Sequence, residues 1–165
     1  MKEKLIIARR NYWTCSNIDL LAPIEETGYV YLLSDGTQIR CRDEHPEDED
    51  VLIGLSWASE EEKKQYCREH YGYIYKGDKV VITRGRKMKG EEKVVNGYYR
   101  FNVAGTYGHR YTDYVYFTDG TKTNIDNCDV VGCKPYYWEY AGQKYYSRQY
   151  KKDFNSIDIN IGGRI

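Results

Sequence analysis

Residues 29–37 read YVYLLSDGT and residues 114–121 read YVYFTDGT. A Tyr-Val-Tyr run that enters an Asp-Gly turn leaves a chain few options. Successive side chains of an extended run fall on opposite faces, and Asp-Gly tolerates the positive φ of a tight reversal. Each copy therefore predicts a β-hairpin, returning through residues 37–41 in the first and 121–125 in the second. Val30 and Leu32 share one face of the first copy, with Tyr29, Tyr31 and Leu33 on the other; Val115 and Phe117 are expected inward in the second. The second copy is one residue shorter before its turn, which changes the register or hides a bulge. The repeat marks architecture rather than chemistry: two small β units within 165 residues, a length that can supply two modest cores.

Between the copies, Ser59 followed by Glu62 forms a capping box, with Glu60 and Glu61 in the first turn and Lys63, Lys64 and Arg68 further on, as the helix dipole favours. The spacing predicts a helix over residues 59–71, ended by Gly72, with Tyr66, Cys67, His70 and Tyr71 as its apolar side. It joins an acidic β unit, residues 1–58, to a second unit, residues 73–132. In the second unit YGYIY, DKVVIT, EKVVNGYYRFNVAG, DYVYFT, TKTNI and NCDVVG read as short strands punctuated by glycine, the pattern of a small barrel or sandwich. Residues 133–165 form an aromatic-rich extension. There Trp138, Ala141 and Tyr145 are helically spaced and expected to pack on the second unit, leaving Tyr146 and Tyr150 partly outside among Lys144, Arg148, Lys151 and Lys152. The final NSIDINIGGRI reads as one more strand or a loose tail. The fold class expected is mainly β (α+β).

The stretch YKGDKVVITRGRKMKGEEKVV, residues 75–95, resembles a KOW motif, the segment of small SH3-like barrels in ribosomal proteins and transcription elongation factors. Gly77-Asp78 opens the strand, Val80 and Ile82 face one side, Gly85 ends it, and Lys89-Gly90 leads into Val94 and Val95. The loop RKMKG is one residue longer than the usual spacing, and Glu91-Glu92-Lys93 stands where a glycine is expected. The resemblance implies an SH3-like barrel over residues 75–131 with a degenerate second copy near residues 12–57, so that the hairpin text would recur at one place in two related units. It also implies binding of RNA, DNA or protein, since fold alone does not choose among them.

Net charge is +0, yet residues 1–75 carry 9 Lys and Arg against 15 Asp and Glu, while residues 76–165 carry 16 against 10. Such an asymmetry suits either two halves that attract each other or a basic half that meets an anionic partner. Arg84, Arg86, Lys87 and Lys89 crowd into six residues, with Tyr98, Tyr99, Arg100, Tyr107, His109, Arg110 and Tyr111 nearby in the chain and Tyr146, Arg148 and Tyr150 on the extension. Cations for phosphates among rings for bases are what nucleic-acid binding requires; the plain alternative is a solvated turn beside barrel aromatics. The run DEHPEDED, residues 43–50, reads as a hydrated, extended loop or, more sharply, as a phosphate mimic or clamp for a basic partner.

Cys67, His70, Cys128 and Cys133 lack the paired spacing of zinc sites, and the five cysteines, an odd count, do not read as a disulfide framework. Neither a phosphate-binding glycine loop nor a nucleophile elbow is present. The sequence thus predicts a non-enzymatic protein without metal or cofactor that binds nucleic acid or a nucleoprotein complex. The alternative is a phage or mobile-element inhibitor, such as an anti-CRISPR protein, that blocks a host protein. The amino terminus lacks the apolar run of a signal peptide, and no stretch approaches the roughly 18 to 20 apolar residues of a membrane span. A cytoplasmic protein without a membrane role is expected.

Overall fold

A computed structural model describes residues 3–15, 24–105 and 108–161. The chain is rich in strands arranged in several sheets, and it divides into two compact units. One holds the chain up to Lys63 together with the segment from Asn155 onward; the other is Lys64–Phe154.

In the first unit β1 (Leu5–Cys15), β2 (Ile24–Leu33) and β3 (Gln38–Arg42) form an antiparallel meander. A 3-10 helix, Pro46–Leu52, follows, and β4 (Ser56–Trp57) pairs with β1 in parallel. Ile6, Tyr31, Leu33 and Cys41 make a core on one face, flanked by Tyr29, Ile39, Leu52 and Leu55. Val30 and Leu32, on the opposite face of β2, are buried as well, so this strand is covered on both sides.

The boundary between the units falls within α1 (Glu60–His70). Its start is the expected capping box: the Ser59 amide donates to Glu62 Oε1 at 3.0 Å, and the Glu62 amide donates to Ser59 Oγ at 3.2 Å. Its inner side differs from expectation. Tyr66, Cys67 and Arg68 are buried, whereas His70 is exposed. Arg68 is held by a two-pronged ion pair with Asp78, at 3.0 and 2.8 Å, which satisfies a charge that burial would otherwise make costly.

The second unit adds β5 (Tyr73–Tyr75), β6 (Lys79–Ile82), β7 (Glu92–Gly105), β8 (Gly108–Phe117), β9 (Lys122–Asn124) and, after a 3-10 turn at Ile125–Asn127, β10 (Cys128–Val130). The five-stranded sheet has the order β10-β6-β7-β8-β9, with every pairing antiparallel. Its core is Ile74, Val80, Ile82, Val95, Val115, Phe117, Ile125, Cys128 and Val130. β7 and β8 pair from Val95 with Phe117 out to Gly105 with Gly108, well past the short strands on either side, so their far ends form a two-stranded ribbon.

Both units share a meander, a 3-10 turn and a closing strand. The first has no counterpart of β6 among its described residues: β4 lies directly beside β1, where β10 lies beside β6. A closing strand antiparallel to β6 runs parallel to β7, so removing the strand between them yields the parallel pair seen for β4 and β1.

The extension is strand, not helix. β11 (Trp138–Tyr140) and β12 (Gln143–Tyr145) form a hairpin whose two-residue turn holds Ala141 at φ 50 and Gly142 at φ 78. Two consecutive positive φ values define the tight hairpin turn that helical spacing concealed. β13 (Gln149–Lys151) then pairs in parallel with β5. A 3-10 turn, Ser156–Asp158, precedes buried Ile159 and Ile161. The run at residues 43–50 is coiled rather than extended, with Asp48 accepting from the Arg42 amide, Nε and Nη2. Among the described residues no helix is long and apolar enough to cross a membrane.

Candidate nucleic-acid interface

The two hairpin turns are alike atom for atom. Leu33 N donates to Thr37 O at 2.9 Å and Phe117 N to Thr121 O at 2.8 Å; Gly36 and Gly120 take φ of 87 and 85; Asp35 and Asp119 each accept from the threonine amide two residues on, at 2.9 Å. Aligned on the turn, Tyr31 matches Val115, and the repeated Tyr-Val-Tyr is out of phase by one residue. A one-residue slip sends each side chain to the other face. In the first unit Tyr31 is therefore a core residue, whereas in the second Val115 fills the core and Tyr114 and Tyr116 turn outward.

These outward tyrosines meet Tyr99 across the ladder. The Tyr99 ring lies between those of Tyr114 and Tyr116, with centroids 5.1 and 4.9 Å away and planes 16° and 19° apart. Gly97 sits opposite Tyr116, and a Cβ there would come within 3.3 Å of the ring, so glycine lets the ring lie flat across the strand. Lys122 on β9 donates to the Tyr99 hydroxyl at 2.9 Å and lies over the rings of Tyr99 and Tyr114; that hydrogen bond raises the ammonium pKa above its ordinary value. Phe101, 52 % exposed, continues this face along β7, and by strand alternation Arg110 falls on it too.

Toward its start β7 leaves the loop that carries the cations. Met88 adopts a left-handed φ of 62 and packs against the core, while Arg86, Lys87 and Lys89 on either side of it are exposed. The half-buried Met88 side chain anchors a loop that presents its charges to solvent.

The remaining expected residues are arranged differently. Arg84 is not part of the open loop: it donates to both oxygens of Asp129 at 3.0 Å and to the Asp126 carbonyl at 2.8 Å, and stacks at 3.5 Å on the Tyr146 ring. Arg148 is buried and donates to Asp129 Oδ1 at 2.6 Å, its Nε and Nη1 making no hydrogen bond. Burial pushes the Asp129 pKa up, but the hydrogen bonds from Arg84, Thr83 and Arg148 outweigh it and hold the carboxyl below its usual value. Arg84 and Arg148, expected in an open contact surface, are instead engaged with Asp129 and fasten the extension to β10. Tyr150 is half-buried, stacked on Tyr98 at 5.5 Å and packed against the core. Tyr98 and Arg100 both donate to Asp113, and Arg100 lies over exposed Tyr111, on the face away from Tyr99. His109 is placed on β8 opposite Ala104. Tyr107 lies outside the described residues. Trp138, expected in the core, is 52 % exposed.

Sequence reading missed Phe101, Tyr114, Tyr116 and Lys122. Tyr114 and Tyr116 alternate with Val115 and Phe117, whose expected inward placement already sets both tyrosines on the outer face.

A cleft of 140 Å3 in the first unit, lined by Glu25, Glu26, Thr27, Arg42, Glu44 and His45, is smaller than ordinary small-molecule sites of roughly 300 Å3 and above. Among the described residues Cys41, Cys128 and Cys133 are thiols outside any disulfide, and burial raises the Cys128 thiol to about 12. Among the described residues no three His, Cys, Asp or Glu side chains gather as a metal would need. Comparison with protein-family models, curated proteins and solved structures finds no match for this chain.

Proposed function

We propose that the second unit is an SH3-like module that binds nucleic acid, with the basic loop on the phosphates and the outer face of β7, β8 and β9 against the bases. The observation that carries this reading is continuity: exposed Arg86, Lys87 and Lys89 lead directly into β7, whose outer face holds Tyr99 and Phe101 beside Tyr114, Tyr116 and Lys122. Cations that neutralise phosphates and rings that meet bases are the two requirements of such a surface. The sheet order, a four-strand meander closed by a fifth strand after a 3-10 turn, supports the SH3-like assignment and agrees with the KOW resemblance of residues 75–95. The first unit is then the degenerate copy, with one strand fewer among its described residues.

Replacing Arg86, Lys87 and Lys89 together by Ala leaves folding unchanged, because exposed charges contribute little to stability. Affinity for an oligonucleotide falls, and the slope of log affinity against log salt shrinks by up to about 2 for a single strand. Absence of binding by the parent protein, or an unchanged slope in the variant, rejects the reading.

A second reading rests on the first unit. There Glu44, Glu47, Glu49 and Asp50 are exposed beside Val51 and Ile53, themselves exposed, which suits a basic host protein and the role of a phage or mobile-element inhibitor. Capture of a protein from lysate that survives nuclease and is lost on reversing these four charges favours it.

A further inference from the structure

The two faces of the β11–β12 hairpin differ. Trp138 and Tyr145 pair across the ladder and stack, with centroids 4.4 Å apart and planes within 17°. Tyr140 and Gln143 continue the same side, and Tyr145 donates to Gln143 Oε1 at 3.1 Å. Trp138, Tyr140 and Tyr145 are 52 %, 69 % and 37 % exposed. On the back, Lys144 lies 4.7 Å over Tyr137, Tyr137 meets Tyr146, and Tyr146 rests on the Arg84 guanidinium. Arg84, clamped on Asp129 together with Arg148, stands two residues before Arg86. The hairpin is thus fastened by its back to the root of the basic loop, with its indole side open.

We propose that this open side is a base-stacking platform, and that the nucleic acid recognised is single-stranded. Trp138 has one ring face on Tyr145, which leaves the other for a further flat ring. A base inside a duplex is stacked on both faces, so away from duplex ends that ring comes from an unpaired base. The surroundings favour an anionic strand: Lys134, four residues before the hairpin, and Lys144 on it are exposed, against Glu139, and Arg86, Lys87 and Lys89 belong to the loop it is fastened to. The inference rests on the proposed nucleic-acid reading and adds to it the strandedness of the ligand and a residue that contacts a base.

The test is titration of the full chain with three probes of equal length: an oligothymidylate, its abasic counterpart and a duplex, each with parent protein, Trp138→Ala and the triple loop variant. The parent binds the oligothymidylate at least about tenfold more tightly than the abasic strand or the duplex, with quenched tryptophan emission. Trp13 and Trp57 are exposed as well, so the quench is assigned by its loss in Trp138→Ala. That variant loses about 5- to 100-fold for the oligothymidylate, the range of one stacked base. It keeps parent affinity for the abasic strand and an unchanged denaturation midpoint. Equal binding of all three probes by the parent, or unchanged oligothymidylate affinity and quenching in Trp138→Ala, overturns the platform while the loop reading stands. Failure of every probe to bind removes the underlying reading itself, and retention of a lysate protein by the parent but not by Trp138→Ala would instead assign the indole to a protein partner.

Discussion

The two hairpins carry the same words and use them oppositely. In the first unit the turn is preceded by Tyr31-Leu32-Leu33-Ser34, with Tyr31 and Leu33 in the core; in the second it is preceded by Val115-Tyr116-Phe117-Thr118, with Val115 and Phe117 in the core and the tyrosines outside. One residue of phase separates a strand covered on both faces from one that exhibits a stack of rings. An aromatic repeat thus specifies where a strand and a turn will be, whereas its distance from the turn decides which rings are available for contact.

The largest effect should come from erasing the phase difference. Insertion of one leucine between Phe117 and Thr118 gives the second copy the length of the first, and carries Val115 outward and tyrosine inward against a core built for valine. We expect loss of the folded second unit, read as loss of the Trp138 transition in denaturant, with the Trp13 and Trp57 signals of the first unit retained. A second unit of parent stability would mean that the ladder absorbs the insertion as a bulge, and the phase argument would fail.

Next is the clamp that fastens the extension. Asp129→Ala leaves the guanidinia of Arg84 and Arg148 without their shared carboxylate, and breaking a buried pair from one side costs about 3–5 kcal/mol. Its nearest analogue in the first unit, Asp48 on Arg42, lies toward the surface, so Asp48→Ala should lower the midpoint far less. Equal effects would remove the contrast between a buried clamp and a surface one.

The same clamp gives a pH dependence. Asp129 and Asp113 have folded-state pKa values below their unfolded value of about 3.9. Their stabilisation is complete above that value and is lost as pH falls from it through the lower folded values. The second unit should hold its midpoint down to about pH 4 and lose it below, more steeply in the parent than in Asp129→Asn. A parent that weakens from pH 7 downward would contradict the ion-pair account.

A smaller contrast separates the rings themselves. Tyr31→Ala removes a core aromatic and should cost about 3 kcal/mol, whereas Tyr116→Ala, at the surface, should change stability by roughly 0.5 kcal/mol.

Much of the fold was legible because its signals are local. The capping box at Ser59 and Glu62, the Asp-Gly turns and the alternation of β6 each fix a few neighbouring residues, and the structure places them where the text does. Signals that depend on distant partners were not legible. Arg84 and Arg148 read as free cations because their counter-charge, Asp129, comes from a strand that nothing local associates with either. Trp138 and Tyr145 read as a helical row because a seven-residue separation suits a helix face and also a hairpin closed by Ala141-Gly142, and alanine gives no warning of a positive φ. The outward face of Tyr114 and Tyr116 was legible from the inward Val115 and Phe117, whereas their stack on Tyr99 depends on the β7–β8 register, a distant pairing.

The most direct measurement is binding of a single-stranded oligonucleotide by the Tyr99→Ser, Tyr116→Ser double variant, with its denaturation midpoint recorded alongside. If the outward phase of the second hairpin makes a contact surface, affinity falls at least about tenfold while the midpoint stays close to that of the parent. An unchanged affinity, or a loss of binding explained by a collapsed midpoint, would mean that the stacked tyrosines hold the sheet together and that the contact surface lies elsewhere.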